Sequence, residues 1–226
     1  MTATMALVRF KLAAYARSHR LLQPLFALVC MLAIFYGAPT SPGGEPSAYA
    51  DAAGLLVIVF AWAARSLLDT EPPTQRLISM TSAGGPGREV AAGLAAALMV
   101  DAALAAIAVA VPLAHGFVET PSAAVIAQGA ALHGLAVLVG IGLGALSSAQ
   151  IIPSPAASMF ALLGGFVGLL LLSITPAGPL LVPIVGWMRA AGDGALGAML
   201  PALALPTVLW SCLAVLLYVR LRRTRP

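Results

Sequence analysis

The sequence predicts an all-α integral membrane protein with six transmembrane helices, and three observations carry that expectation. Of 226 residues, 61% are hydrophobic and only 9% are charged, where an ordinary soluble domain has about 25% charged residues. The mean hydropathy of +0.99 means more apolar surface than a soluble fold can bury. The apolar residues also gather into six runs, Leu21–Gly37, Ala52–Leu68, Val90–Leu113, Ser122–Leu146, Ala156–Ile174 and Leu203–Val219. Each run is near the ~20 residues that a helix needs to cross the hydrocarbon. The chain therefore reads as a single transmembrane domain, 1–226.

The basic residues set the orientation. Arg9, Lys11, Arg17 and Arg20 precede the first run, and Arg65, Arg76 and Arg88 flank the connection between the second and third. Arg220, Arg222, Arg223 and Arg225 follow the last run, and only Arg189 falls on the other side. The positive-inside rule then places both termini in the cytoplasm. The net charge of +4 is explained by this topology, so no nucleic-acid partner is expected. One lysine against eleven arginines, with abundant alanine, is the bias of a GC-rich bacterial genome and points to a bacterial inner membrane. Ala48-Tyr49-Ala50 has the small-x-small pattern of a signal-peptidase site, but it lies too far beyond the first apolar run. That run is read as a retained span.

Residues 1–20 read as a basic helix with Met5, Val8, Leu12 and Tyr15 on one apolar stripe. Two readings stand: a helix lying on the inner membrane surface, or a plain basic flank that sets topology. The outer connections, Ala38–Ala50 and Ala114–Pro121, are too small to be domains. The longest cytoplasmic connection lies within 69–88. Thr70 is placed to cap a short helix, Glu71 suits its positive end, Pro72 fits its first turn and Gly84-Gly85-Pro86 ends it. That helix would carry Leu77, Ile78 and Met80 as an apolar face. The connection Ser147–Pro155 is uncharged and broken by two prolines. The stretch 176–201 is apolar but interrupted by Pro179, Pro183, Gly186, Gly192 and Gly194, with Arg189 and Asp193 inside it. It reads as one or two short helices dipping into the outer leaflet, with Trp187 as an interfacial anchor. Gly140 with Gly144, and Gly164 with Gly168, form small-residue motifs that permit close helix approach, within one chain or across a dimer.

Catalytic signatures are lacking. There is no H-E-x-x-H, no G-x-S-x-G and no P-loop, and His19, His115 and His133 are widely separated. No enzyme activity, metal site or bound cofactor is expected. Cys30 and Cys212 read as small hydrophobes within apolar runs. Asp101 and His133 lie mid-way along the third and fourth runs, each sixteen positions from Phe117. An antiparallel hairpin would place them at one depth, as a polar site on a transport path, a proton relay or an interhelical hydrogen bond. Arg65 and Asp69 are explained by snorkelling.

The layout resembles the type-2 permeases of bacterial ATP-binding-cassette exporters. The features that carry the likeness are VRFKLAAYARSHR before the first span, EPPTQRLISM followed by AGGPGREVAAG between the second and third, and PLLVPIVGWMRAAGDGALGAMLP before the sixth. In that family these places hold an interfacial helix, a coupling helix and short outer re-entrant helices. Where many relatives carry a Glu-Arg-x-x-Gly-Thr-like coupling segment, this chain has Glu71-Pro-Pro-Thr-Gln-Arg76. The resemblance implies a permease subunit paired with a second copy or a homologous permease and with separate ABC ATPase subunits, which bind ATP and Mg. Its substrate class would be a drug, antibiotic, peptide, lipid or polysaccharide, and multidrug or antibiotic resistance is within its range. Glu71, Arg76, Leu77, Ile78 and Met80 would then meet the ATPase, and Asp101 and His133 would lie on the substrate path. A proton-coupled secondary carrier and a non-transporting immunity or assembly factor are the alternatives.

Reporter fusions test the topology. Fusions at Ser41 and Arg189 are expected to read outside, and fusions after Ser82 and Pro226 inside; an inside reading at Ser41 would overturn it.

Overall fold

A computed structural model describes residues 3–224; Met1, Thr2, Arg225 and Pro226, which the expected basic helix and C-terminal basic flank include, lie outside the described residues. The described chain is helical throughout. Its helices are α1 (Ala3–Arg17), α2 (Leu22–Tyr36), α3 (Glu45–Leu68), α4 (Pro73–Ala83), α5 (Pro86–His115), α6 (Ala123–Leu146), α7 (Pro155–Ile174), α8 (Ile184–Gly192) and α9 (Leu196–Thr224). Five of them, α3, α5, α6, α7 and α9, are long and apolar enough to cross a membrane. Helices α1 and α2, bent by 72° at their break, make a sixth span if taken together. The protein is a multi-pass, all-helical membrane protein.

The bend has a local cause. His19 adopts φ 57°, a left-handed conformation that ends a helix for most side chains. Helix α2 alone has 15 residues, about 22 Å at 1.5 Å per residue, and is short for a ~30 Å hydrocarbon core.

Helix α3 is the centre of the bundle. It packs on α6 above all, and also on α5, α8, α2 and α7. The α3–α6 approach depends on glycine. A Cβ on Gly144 would sit 2.4 Å from the Ala61 carbonyl oxygen and 3.0 Å from the Ala64 Cβ. One on Gly140 would sit 2.6 Å from the Phe60 Cβ. Gly142, between them, faces Ala214 and Trp210 of α9. The first small-residue motif is thus used within the chain. The second is not: at Gly164 and Gly168 a Cβ would meet nothing within 4 Å.

Several boundaries differ from the sequence expectation. Helix α3 begins at Glu45, so the loop before it is shorter than Ala38–Ala50. Helix α9 begins at Leu196 and carries Pro201 and Pro206 inside it, so the interrupted stretch ends sooner than 201. Pro201 is the sixth residue of α9, beyond the free first turn, so the Gly197 carbonyl lacks its amide donor there. Between α7 and α9 stand one 3₁₀ turn, Gly178–Leu180, and α8. Trp187 on α8 is fully buried. It is a core residue packed with the bundle, not an exposed anchor. At that end of the molecule, Thr40 and Phe117 join the two loops through Thr40 N to Gly116 O at 2.8 Å and Val118 N to Thr40 O at 3.2 Å. Tyr36 and Tyr49 both meet the Phe117 ring edge-on, at 5.8 and 5.2 Å.

These contacts separate two glycine substitutions. Gly144→Val is expected to destabilise the protein by about 1–3 kcal/mol, because α3 and α6 must part. Gly164→Ala is expected to be neutral or stabilising by up to ~1 kcal/mol. Thermal unfolding in one detergent reads both, and equal behaviour would refute the assignment of the interface.

Candidate functional site

The polar chemistry of the molecule collects at one end of the bundle, where α1, α4, the start of α5, the end of α3 and the end of α9 meet. Here this is called the basic end. Helix α1 turns Val8, Lys11 and Tyr15 inward. Of the expected stripe, Val8 and Tyr15 are buried, whereas Met5 is exposed. The buried face includes a lysine because carboxylates wait for it. Lys11 Nζ donates to Glu71 Oε2 at 2.5 Å and to Glu89 Oε1 at 2.8 Å. Glu89 Oε2 in turn accepts from Arg222 Nη2 at 3.1 Å. Ser79 Oγ donates to the other oxygen of Glu71. Two cations and two anions make one neutral, mostly buried chain across α1, the segment before α4, α5 and α9, to which α4 is joined by Ser79.

A second set of contacts closes the end of α3. Tyr15 and Ser66 share a hydrogen bond of 2.7 Å. Because the Ser66 hydroxyl donates to Ala63 O, the phenol is the donor. Asp69 receives the Ala149 amide at 2.9 and 3.1 Å, and Arg65 lies 3.8 Å from its carboxylate. Burial pushes the Asp69 carboxyl above the usual carboxylate value, while the Ala149 amide and then Arg65 pull it back. Arg65 Nε donates to Ser158 Oγ at 2.7 Å, and Gln150 bridges Leu68 O and the Tyr218 hydroxyl. Arg65 and Asp69 therefore do not snorkel; Asp69 staples the Ser147–Pro155 connection to the end of α3, and Arg65 ties α3 to Ser158 in the first turn of α7.

The segment expected between 69 and 88 is present, with changes. Thr70 does not cap α4: its hydroxyl donates to Ser66 O and finishes α3. Pro72 and Pro73 begin α4, and Gly84 ends it in the left-handed conformation at φ 82°, as a helix-terminating glycine does. Glu71 was expected as a charged rim group. It is buried instead, because Lys11 and Ser79 hold it. Arg76 is partly covered and its Nη2 donates to Glu71 O at 2.9 Å. Leu77 and Ile78 are exposed, at 60% and 66%, and Met80 is half-buried. A groove of about 580 Å³ runs between α1 and α4, with Leu7 and Phe10 on one wall and Gln75 and Ile78 on the other.

Asp101 and His133 are both buried within the spans, but the structure does not join them. His133 Nδ1 donates to Gly129 O at 2.8 Å, one turn back on its own helix. His133 Nε2 and both Asp101 oxygens have no partner among the described residues. Asp101 lies fourteen residues before the end of α5 and His133 ten after the start of α6. The two sit at unequal distances along the chain from the ends of their helices, and no hydrogen bond joins them. His133 instead meets the edge of Tyr49, with ring centroids 6.1 Å apart.

Comparison with protein-family models, with curated proteins and with solved structures gave no match. The residues of the basic end are consequently the ground for a functional reading. Lys11 and Glu89 are the residues that the sequence reading missed. The available signal was the sole lysine of the chain, placed on the apolar side of a basic helix.

Removing one member of a buried charge pair strands the other, which costs about 3–5 kcal/mol. Glu89→Ala is expected to lose that much, because both Lys11 and Arg222 lose a partner. Arg17→Ala, at an exposed position, should change stability by less than ~0.5 kcal/mol. Chemical unfolding in lipid nanodiscs measures the contrast.

Proposed function

We propose that the chain is the membrane-spanning permease subunit of an ABC transporter, exporting a drug, antibiotic, peptide or lipid-like substrate with ATP hydrolysed by a separate subunit. One observation carries this reading: Leu77 and Ile78 stand exposed and adjacent on a short helix ended by Gly84. Helix α4 lies at the basic end, which the positive-inside rule assigns to the cytoplasm. An apolar pair in water is a docking feature, and a chain with spans but no P-loop must receive ATP-derived energy by contact.

In this reading α4 is the coupling helix, α1 the interfacial helix, and the 3₁₀ turn with α8 the outer re-entrant element. The protein sits in the bacterial inner membrane with both termini inside. Its partners are an ABC ATPase, which holds ATP and Mg, a second copy or homologous permease, and membrane lipid. Arg76 and Met80, partly covered, flank the contact, and Glu71 supports it from beneath. Asp101 supports a second reading, a proton-coupled carrier, because a carboxyl without a partner in the spans is costly unless it holds a proton.

Affinity purification of the tagged chain from its own membrane decides between them. A P-loop ATPase is expected to co-purify with the native chain. Leu77→Asp and Ile78→Asp should each reduce its recovery at least ~10-fold, as for a lost apolar anchor, with insertion unchanged. Full recovery with both variants would refute the coupling role. Proton-driven uptake abolished by Asp101→Asn, with no ATPase recovered, would favour the carrier.

A further inference from the structure

We propose that Lys11 is the positioning residue that makes α4 move together with the inner ends of α5 and α9. The proposal takes from the preceding reading only that force arrives at α4.

The connections of α4 to its chain neighbours are poor levers. Pro72 precedes it and Pro73 opens it, and Gly84 and Gly85 follow at φ 82° and 135°. A glycine pair with such dihedrals offers little resistance to reorientation. Arg76 and Arg88 bond only to the backbone at the two ends of the segment, Glu71 O and Ala83 O. The tether to the rest of the bundle is different in kind. Ser79, on the buried side of α4, holds Glu71, and Glu71 holds Lys11 at 2.5 Å. Lys11 holds Glu89 at 2.8 Å, in the first turn of α5. Glu89 holds Arg222 at 3.1 Å, near the end of α9.

Lys11 is the link on which the chain depends. Its compact ammonium has three donors and reaches two carboxylates at once. The four side chains expose 4–12% of their surface. Parting any pair would leave a charge in apolar surroundings, so the group moves as a unit. Glu71 and Glu89 are 18 residues apart in sequence and would repel without the cation between them. Displacement of α4 therefore passes through Lys11 to α5, and through Glu89 to α9. A helix resting on the bundle by apolar contact alone could slide without moving either.

The test uses the full chain in nanodiscs and hydrogen exchange. Lys11→Met/Glu71→Gln/Glu89→Gln/Arg222→Met removes the chain of charges without leaving a buried ion, and folding is checked by the exchange of α3 and α6. Amides of α4 and of the last turn of α9 are expected to exchange at least ~10-fold faster together, as a cooperative unit that has lost its tie. Loosening confined to α1 and α4, or no change, would overturn the proposal. A second arm adds the ATPase recovered in the previous experiment. Native protein should show an ATP-dependent change in exchange at the end of α9. The quadruple variant should bind the ATPase equally and lose that change. Retention of the change would overturn the proposal, as would loss of ATPase binding, which would make the cluster part of the docking surface. Should no ATPase be recovered, the permease reading fails, and the first arm still decides the role of Lys11.

Discussion

The architecture depends on the contact between α3 and α6. Their backbones approach until Gly144 lies against the carbonyl of Ala61. Van der Waals packing, not the hydrophobic effect, joins helices in lipid, so close approach is the main source of association. With this pair fixed, α5 and α8 have a surface to lie on, and α9 packs against the far side of α6 at Gly142. Helix α7 is peripheral by the same logic, because two of its three glycines, Gly164 and Gly168, meet no neighbour and Gly165 meets only the Leu143 side chain.

The two ends of the bundle are closed by different chemistry. One end uses aromatic edges and a pair of backbone hydrogen bonds between loops. The other uses ions and hydroxyls, several of them paired with a residue distant in sequence, such as Lys11 with Glu89 or Arg65 with Ser158. Aromatic contacts are broad and tolerant of small shifts. Charge-assisted hydrogen bonds are short and directional. The basic end is thereby the more sharply specified, and its helices are registered against one another side chain by side chain.

The spans were legible because hydrocarbon thickness imposes a length and a composition on them, and the boundaries of α6 and α7 follow the apolar runs within about one residue. Ends set by tertiary contact were less so. Helix α3 extends back to Glu45, whose carboxylate accepts the Gly43 amide, and α9 extends back through Pro201. The exposed Leu77 and Ile78 were readable from the period of a short helix. The burial of Glu71 was not, because nothing local announces that a lysine sixty residues earlier will cover it. Asp101 and His133 were read as lying mid-way along apolar runs, and both fall within helices long and apolar enough to cross a membrane. Their lack of a mutual bond depends on how the side chains face across two helices, which counting residues from Phe117 does not capture.

The basic end carries its own chemical reporter. Lys11 holds the sole side-chain amine of the sequence, and it is enclosed by two carboxylates. An acylating reagent must reach the amine, so an amine only 9% exposed and held between two carboxylates is shielded from it. Labelling at this one position would mark molecules whose α1 has come away from α4 and α5, and a mass increment on a single peptide would count them. The scarcity of lysine, a by-product of composition elsewhere in the chain, turns a structural ion pair into a built-in gauge of how often this end opens.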